Sequence, residues 1–341
     1  MKQTRVAING FGRIGRNALK IMLVRPDIEV VAINDLGETA ALAQLFEYDS
    51  VYGQYENEVI AHGDLLKIGQ AEIQFYHQAD PTKLPWGKLE IDVVLECTGH
   101  FETKEKAQAH LTAGAKRVII SAPAKDDETK TFVIGVNEKD MIADEKIISN
   151  ASCTTNCIAP VITVLDKVFG VKKAMMTTVH AMTASQNTLD APARDLRMAR
   201  AASINIIPTT TGASRAVAKV APEFKDKFEG LSIRVPVPVV SLSDFVILLK
   251  QNVSVEEVNQ ALTEASQDPY YQGVLTVTDR ELVSSDFIGN PASAIVDLKL
   301  TNVVDGDMLK VVAWYDNEWG YSNRLVELAS DLGKKLRGKN G

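Results

Sequence analysis

The 341-residue chain contains only three cysteines, Cys97, Cys153 and Cys157, and so sparse and odd a set argues against a disulfide framework and fits a reducing compartment. Cys153 and Cys157 also lack the C-x2-C spacing, and a matching second pair, that a structural zinc site uses, so no metal is expected. No apolar run approaches the ~20 residues that a membrane-spanning helix requires. The start, Met1-Lys2-Gln3-Thr4-Arg5, passes straight into a short apolar stretch without an h-region or cleavage site, which makes the cytoplasm the default expectation. The net charge of −7 leaves no basic footprint for nucleic acid or an anionic membrane. Internal repeats and low-complexity segments are missing as well. What remains, 45% hydrophobic and 24% charged residues, is an ordinary globular composition in a chain long enough for about two domains.

The first half alternates short β-rich runs with helical patterns, the signature of a parallel sheet covered by helices. Strands are expected at residues 5–9, 29–34, 91–96, 117–121 and 146–149, and helices at 13–24, 39–48 and 104–113. A second region opens near Ser152, which caps a helix running to about residue 169, with a kink or early break expected at Pro160. Beyond it the pattern turns to strands at 174–182, 230–235, 245–250, 294–300 and 308–314, with helices at 212–220 and 255–266. Few helices separate these strands, which predicts an α+β domain with a mainly antiparallel sheet. Residues 187–205 lack periodicity and read as a long surface loop; a last helix spans 321–336 and ends in basic residues.

Gly10-Phe11-Gly12-Arg13-Ile14-Gly15 is a complete G-x-G-x-x-G that follows a strand and opens a helix. Gly10 permits the tight turn, Gly12 lets the backbone approach a pyrophosphate, and Gly15 allows close helix–strand contact. The helix N-terminus offers free N–H donors to phosphates. Asp35, at the end of the second strand, is placed to accept from the adenosine ribose hydroxyls and to repel a 2′-phosphate, which favours NAD over NADP.

Cys153 falls in the first turn of a helix, where the positive end of the dipole predicts a lowered pKa and a nucleophilic thiolate. His180, on a strand in the same region, is placed to pair with it and to accept a proton. Cys157, one helical turn on, faces inward or sits beside Cys153, and Cys97 reads as a core residue. Ser152, Thr154 and the run Thr209-Thr210-Thr211-Gly212 supply hydroxyls and a second helix start for anions, with Thr183 three residues beyond His180. Arg234 lies inside an apolar strand and needs a partner, either an anion or an internal carboxylate; the hydroxyls serve equally as helix caps.

Assembled, the segments AINGFGRIGRN (7–17), SNASCTTNC (149–157), TTVHAMTASQ (177–186), NIIPTTTGAS (205–214), RVPVPVVS (234–241) and WYDNEWGYSNR (314–324) resemble the glyceraldehyde-3-phosphate dehydrogenase family over essentially the whole chain. The resemblance implies a Rossmann domain of residues 1–152 and 317–341, a catalytic domain of residues 153–316, and a homotetramer. It implies Cys153 as nucleophile and His180 as base. A thioester would form as NAD is reduced, and inorganic phosphate would cleave it. Thr183 and Arg234 match the substrate-phosphate site; Ser152, Thr154, Thr211 and Gly212 match the inorganic-phosphate site. Arg13, Ile14, Asp35, Thr98, Ser121 and Asn317 match cofactor contacts, and Tyr321 lies near the nicotinamide. The loop at 187–205 matches one that borders a neighbouring subunit's cofactor. Met182 and Met198 depart from common family residues. Ala191 resembles NADP-tolerant members whereas Asp35-Leu36 resembles the NAD-type pair, so NAD is expected with some NADP tolerance. The competing readings are an erythrose-4-phosphate dehydrogenase, which releases its thioester to water, a semialdehyde dehydrogenase, and a catalytically silent binding protein on the same fold.

Overall fold

The computed structural model describes residues 3–142 and 144–338. The extreme ends of the expected cofactor domain, residues 1–2 and 339–341, lie outside these described residues. The chain divides into two compact units, Met1–Phe132 with Lys139–Ala151 and Ser322–Gly341, and Val133–Glu138 with Ser152–Tyr321.

The first unit holds strands β1 (Thr4–Asn9), β2 (Ile28–Asn34), a small pair β3 (Tyr48–Asp49) and β4 (Gly53–Gln54), then β5 (Val59–His62), β6 (Leu65–Ile68), β7 (Ala71–Tyr76), β8 (Val93–Glu96), β9 (Arg117–Ile120), β10 (Lys130–Thr131) and β11 (Ile147–Ser149). Nine of them form one sheet in the order β10-β11-β9-β8-β1-β2-β7-β6-β5. Pairing is parallel from β10 to β7 and antiparallel through β6 and β5. The parallel strands are nearly continuous in buried Val, Ile and Ala because both faces are covered. Helices α1 (Arg13–Leu23), α2 (Thr39–Glu47) and α3 (Lys104–Thr112) form the crossovers. The antiparallel extension β5–β7 is an addition to the expected elements. Its turn signals stand in the sequence, since Gly63 and Gly69 take positive φ of 59° and 56° between the alternating strands.

The second unit holds α4 (Cys153–Phe169), β12 (Val171–His180), β13 (Ile207–Thr210), α5 (Ala213–Val220), β14 (Phe228–Arg234), β15 (Ser241–Leu249), α6 (Val255–Gln267), β16 (Leu275–Thr278), β17 (Ala294–Asp297), β18 (Asn302–Val304) and β19 (Met308–Tyr315). The sheet order is β13-β14-β12-β15-β19-β17-β16, with β18 on β19. Pairing is antiparallel except for β12 with β14 and β16 with β17. The expected strand at 294–300 stops at Asp297, whose carboxylate caps the amide of Lys299 at 3.2 Å and starts a short 3-10 turn. Helix α7 (Trp319–Gly338) closes the chain.

Pro160 does not end α4, so of the kink or early break expected from sequence the break is absent. The Ser152 hydroxyl accepts from Thr155 N at 3.0 Å and secures the start. An internal proline costs about 3 kcal/mol. Against it, Ile158, Val161, Ile162 and Leu165 are completely buried in the core of the second unit. At roughly 1.5–3 kcal/mol for each such side chain, burial outweighs the one lost backbone bond.

Candidate active site

The glycine turn in the first unit leaves no room for side chains at two of its three positions. Gly10 has φ +94°, and a Cβ on it would lie 2.7 Å from the carbonyl carbon of Cys97. A Cβ on Gly15 would lie 2.2 Å from Gly10 O, so α1 rests directly on the turn. Gly12 differs: nothing lies within 4 Å of its would-be Cβ, leaving the approach to the N-terminus of α1 open. No side chain caps that terminus and no acidic residue stands in its first turn. Phe11 turns its ring into the core, 6.0 Å from Phe46 and 5.8 Å from Phe75, and presents only backbone to the turn.

A cleft of about 490 Å³ opens here, bordered by Gly10, Gly12, Asp35, Pro81, Thr98 and Phe101 among others. Asp35 stands at its rim, accepting from Phe11 N at 2.7 Å and Gly37 N at 2.8 Å, which leaves one lone pair on each oxygen for ribose hydroxyls. Open helix donors beside an uncrowded glycine, with a fixed carboxylate at the edge, fit a dinucleotide. The Arg13 guanidinium is drawn to the Asp49 carboxylate at 2.8 Å and lies over the Tyr52 ring, while Ile14 stays half-buried in the first turn. Thr98 and Ser121 are half-buried at the C-terminal ends of β8 and β9. Cys97 between them is pushed up to about 12 by burial, Ser121 opposing and the Glu96 charge adding, so it is inert.

In the second unit the start of α4 meets the end of β12. Cys153 Sγ lies 3.4 Å from His180 Nε2. The imidazole is buried and stands edge-on to the Tyr315 ring, with centroids 6.0 Å apart and an interplanar angle of 76°. Its Nδ1 lies 2.8 Å from Ala181 O and 2.5 Å from Arg234 Nη1, and Arg234 also donates to Ala181 O at 3.2 Å. Nδ1 serves one of these partners at a time. Protonated, it donates to Ala181 O and leaves the Nε2 lone pair toward sulfur; unprotonated, it accepts from Arg234 and turns an N–H to sulfur.

Burial, then the Arg234 charge, holds His180 down at about 3 despite the pull of the Ala181 carbonyl, so the imidazole is neutral at pH 7 and a weaker base than a free one. The expected lowering of the Cys153 pKa does not occur in this structure. Burial pushes the thiol up, and the Arg234 charge and local backbone N–H groups offset that only in part. The resting pair is a neutral thiol and a neutral imidazole.

Arg234 meets neither an internal carboxylate nor a cap: its Nε is buried with no hydrogen bond, a donor suited to an anion. Thr183 Oγ1 lies 2.8 Å from Ser185 Oγ, and Thr211 Oγ1 accepts from Ala213 N at 3.1 Å beside the exposed Gly212, the N-cap of α5. Thr154 is committed differently. Thr178 donates to Leu242 O at 3.1 Å, so Tyr315 donates to Thr178 at 2.8 Å and Thr154 to Tyr315 at 3.1 Å. The Thr154 hydroxyl proton is therefore spent inward. Asn317 and Tyr321 belong to the second unit and are buried; Asn317 Oδ1 accepts from Ser241 Oγ at 3.0 Å, which itself accepts from Ala181 N at 3.0 Å. Cys157 is fully buried, its thiol pushed up by burial. Tyr315, which orders Thr154 and flanks His180, was not anticipated; nothing in the pattern of β19 separates it from a core aromatic.

A glycine turn for a dinucleotide on a parallel sheet, with a helix-start cysteine on a neutral histidine in the other unit, defines an NAD-binding oxidoreductase. Residues 4–104 match the family model of the glyceraldehyde 3-phosphate dehydrogenase NAD binding domain, and residues 152–317 match that of its C-terminal domain. A glyceraldehyde-3-phosphate dehydrogenase of Zymomonas mobilis is 52% identical over 334 residues, covering 97% of this chain and 99% of the relative. Those of Streptomyces coelicolor (50%) and Bacillus subtilis (51%, the first of two) each cover 97% of this chain, and 99% and 98% of the relative. The chain belongs to the glyceraldehyde-3-phosphate dehydrogenase family.

Proposed function

We propose that the chain catalyses NAD-dependent, phosphorylating oxidation of D-glyceraldehyde 3-phosphate to 1,3-bisphosphoglycerate. The observation that carries this reading is the 3.4 Å contact between Cys153 Sγ and the Nε2 of a neutral His180, with the unsatisfied Nε of Arg234 beside it. Cys153 transfers its proton to Nε2 as sulfur bonds to the aldehyde carbon, and N–H groups at the start of α4 face the developing oxyanion. His180 gives that proton to the oxyanion, forming the hemithioacetal hydroxyl, and takes it back as the carbon is oxidised to a thioester. NAD supplies the two-electron acceptor. Inorganic phosphate displaces the thioester sulfur, which leaves as thiolate, and the product is an acyl phosphate.

Arg234 and Thr183 hold the phosphate of the aldehyde; Ser152, Thr211 and Gly212 receive the incoming phosphate. Thr154 assists there through its lone pairs and its hold on Tyr315, since its proton is engaged. Asp35 disfavours a 2′-phosphate. Gly10, Phe11, Gly12, Arg13, Ile14, Gly15, Thr98, Ser121, Asn317 and Tyr321 complete the cofactor contacts. A cofactor domain of residues 1–152 and 317–341, a catalytic domain of residues 153–316, a homotetramer and a cytoplasmic location belong to the same reading. Among the described residues no helix is long and apolar enough to cross a membrane.

NADH formation from glyceraldehyde 3-phosphate, with and without inorganic phosphate, tests the proposal. Turnover should require phosphate, and erythrose 4-phosphate should be the poorer substrate. A rate indifferent to phosphate sinks the acyl-phosphate product.

A further inference from the structure

A buried carboxylate in the first unit is left unused by this chemistry. Glu96 ends β8 with almost no exposure, and four donors converge on its two oxygens. Oε1 accepts from Thr98 N at 2.8 Å and from the Thr98 hydroxyl. Oε2 accepts from Asn9 Nδ2 at 2.6 Å and from His110 Nε2 at 2.8 Å. His110, on α3, is fully buried, and the equally buried Trp86 points its indole Nε1 at His110 Nδ1 from 3.1 Å. An indole N–H only donates, so Nδ1 carries a lone pair and the imidazole is the neutral Nε2–H tautomer. That tautomer requires Glu96 to accept, as an ionised carboxylate does.

The polarity continues outward. With its amide nitrogen on Glu96, Asn9 turns Oδ1 to Asn34, whose Nδ2 donates to it at 2.7 Å and to Gln78 O at 2.9 Å. Asn34 Oδ1 in turn accepts from Gln78 N at 2.8 Å. Thr98, its proton given to Glu96, accepts from His100 N at 3.1 Å. Asn9, Asn34, Gln78, Thr98 and His100 all line the dinucleotide cleft. One charged group behind the cleft wall thus decides which way two amides and a hydroxyl face.

We propose that Glu96 and His110 are positioning residues for dinucleotide binding: Trp86 selects the His110 tautomer, and the ionised Glu96 orients Asn9, Asn34 and Thr98 in the wall of the cleft. The pair touches no reacting atom. Its loss weakens cofactor affinity while turnover at saturating cofactor is retained. This rests on NAD occupying the cleft, so NAD binding to the wild-type protein is measured first.

The test uses the full chain, with NAD Kd from calorimetry and steady-state kinetics alongside. E96Q must place a donor where four donors already meet, and H110L removes the donor to Glu96 and the acceptor for Trp86. Each should raise the Kd for NAD about tenfold or more, with kcat at saturating NAD within about threefold. H110Q can present an amide oxygen to Trp86 and an N–H to Glu96, and should stay within about threefold of wild type. An unchanged Kd in E96Q and H110L, or an H110Q no better than H110L, overturns the proposal. Should those variants fail to fold, 15N NMR of His110 in the wild type decides. The Nε2–H tautomer supports the proposal, and the Nδ1–H tautomer overturns it. Failure of wild type to bind NAD refutes the occupancy of the cleft instead.

Discussion

Removing the positive charge beside Cys153 should slow its alkylation by a calculable amount. Arg234 Nη1 lies 2.5 Å from His180 Nδ1, and Nε2 lies 3.4 Å from the sulfur. The guanidinium nitrogen is therefore at most about 8 Å from the sulfur, where a unit charge at an effective dielectric of about 20 favours the thiolate by at least about 2 kcal/mol. In R234L, at a pH below the thiol pKa, about thirtyfold less thiolate is present. A more basic thiolate is also a better nucleophile; with a Brønsted coefficient of about 0.45 this returns about fivefold. The net expectation is a fall of about sixfold in the second-order rate with iodoacetamide, whose neutrality prevents steering by Arg234. Only Cys153 should report, because burial pushes Cys97 up to about 12 and Cys157 is fully enclosed. R234K, keeping the charge, should react within about twofold of wild type. If R234L alkylates as fast as wild type, or R234K slows as much as R234L, the electrostatic account of this corner is wrong.

Two further outcomes are expected. D35N removes the carboxylate that repels a 2′-phosphate, so the ratio of kcat/KM for NAD over NADP should fall about tenfold or more in a comparison with one aldehyde. Asp27 accepts from Arg25 at 3.0 and 3.1 Å and from Ser330 at 2.5 Å, and the Arg25 bonds hold its carboxyl well below the usual carboxylate range against the effect of burial. A depressed folded-state pKa contributes stability that is present above the unfolded value of about 3.9 and is lost as pH falls through the folded one. D27N should therefore lower Tm by about 2–4 °C at pH 7, for about 1 kcal/mol, with the deficit shrinking below about pH 4. A deficit independent of pH would show that shape, not charge, is what the substitution removes.

The backbone of the glycine turn and the place of Asp35 at a strand end were legible from local rules, because both follow from the sterics of a single βαβ unit. Gly15 and Asp35 needed no knowledge of distant chain, whereas the crowding of Gly10 by Cys97 came only with the sheet. The meeting of Cys153 with His180 is a matter of α4 and β12 packing; the residues alone offered the pairing only as two groups in one region, and the resemblance supplied their roles. Helix reasoning overstated two points. Pro160 was weighed without the burial of its neighbours, and the dipole at Cys153 was weighed without the desolvation that raises the thiol. Glu96, His110 and Trp86 left no trace at all: an acidic residue ending an apolar strand and a histidine in a short helix have nothing to join them until the sheet brings them together. Tyr315 is similar, one aromatic among several on β19 until Thr154 and Thr178 are seen at its hydroxyl.

Asp35 is clasped by the amides of Phe11 and Gly37, one to each oxygen. The side chain proposed to rank the two cofactors is thus also a rivet joining the glycine turn to the loop after the second strand. Exchanging it for a smaller or basic residue, the obvious route to an NADP-using catalyst, strands two main-chain donors and loosens the loop meant to grip the new ligand. Redesign has to supply a substitute acceptor for those amides, and drift in natural lineages should spare the carboxylate and alter its surroundings first.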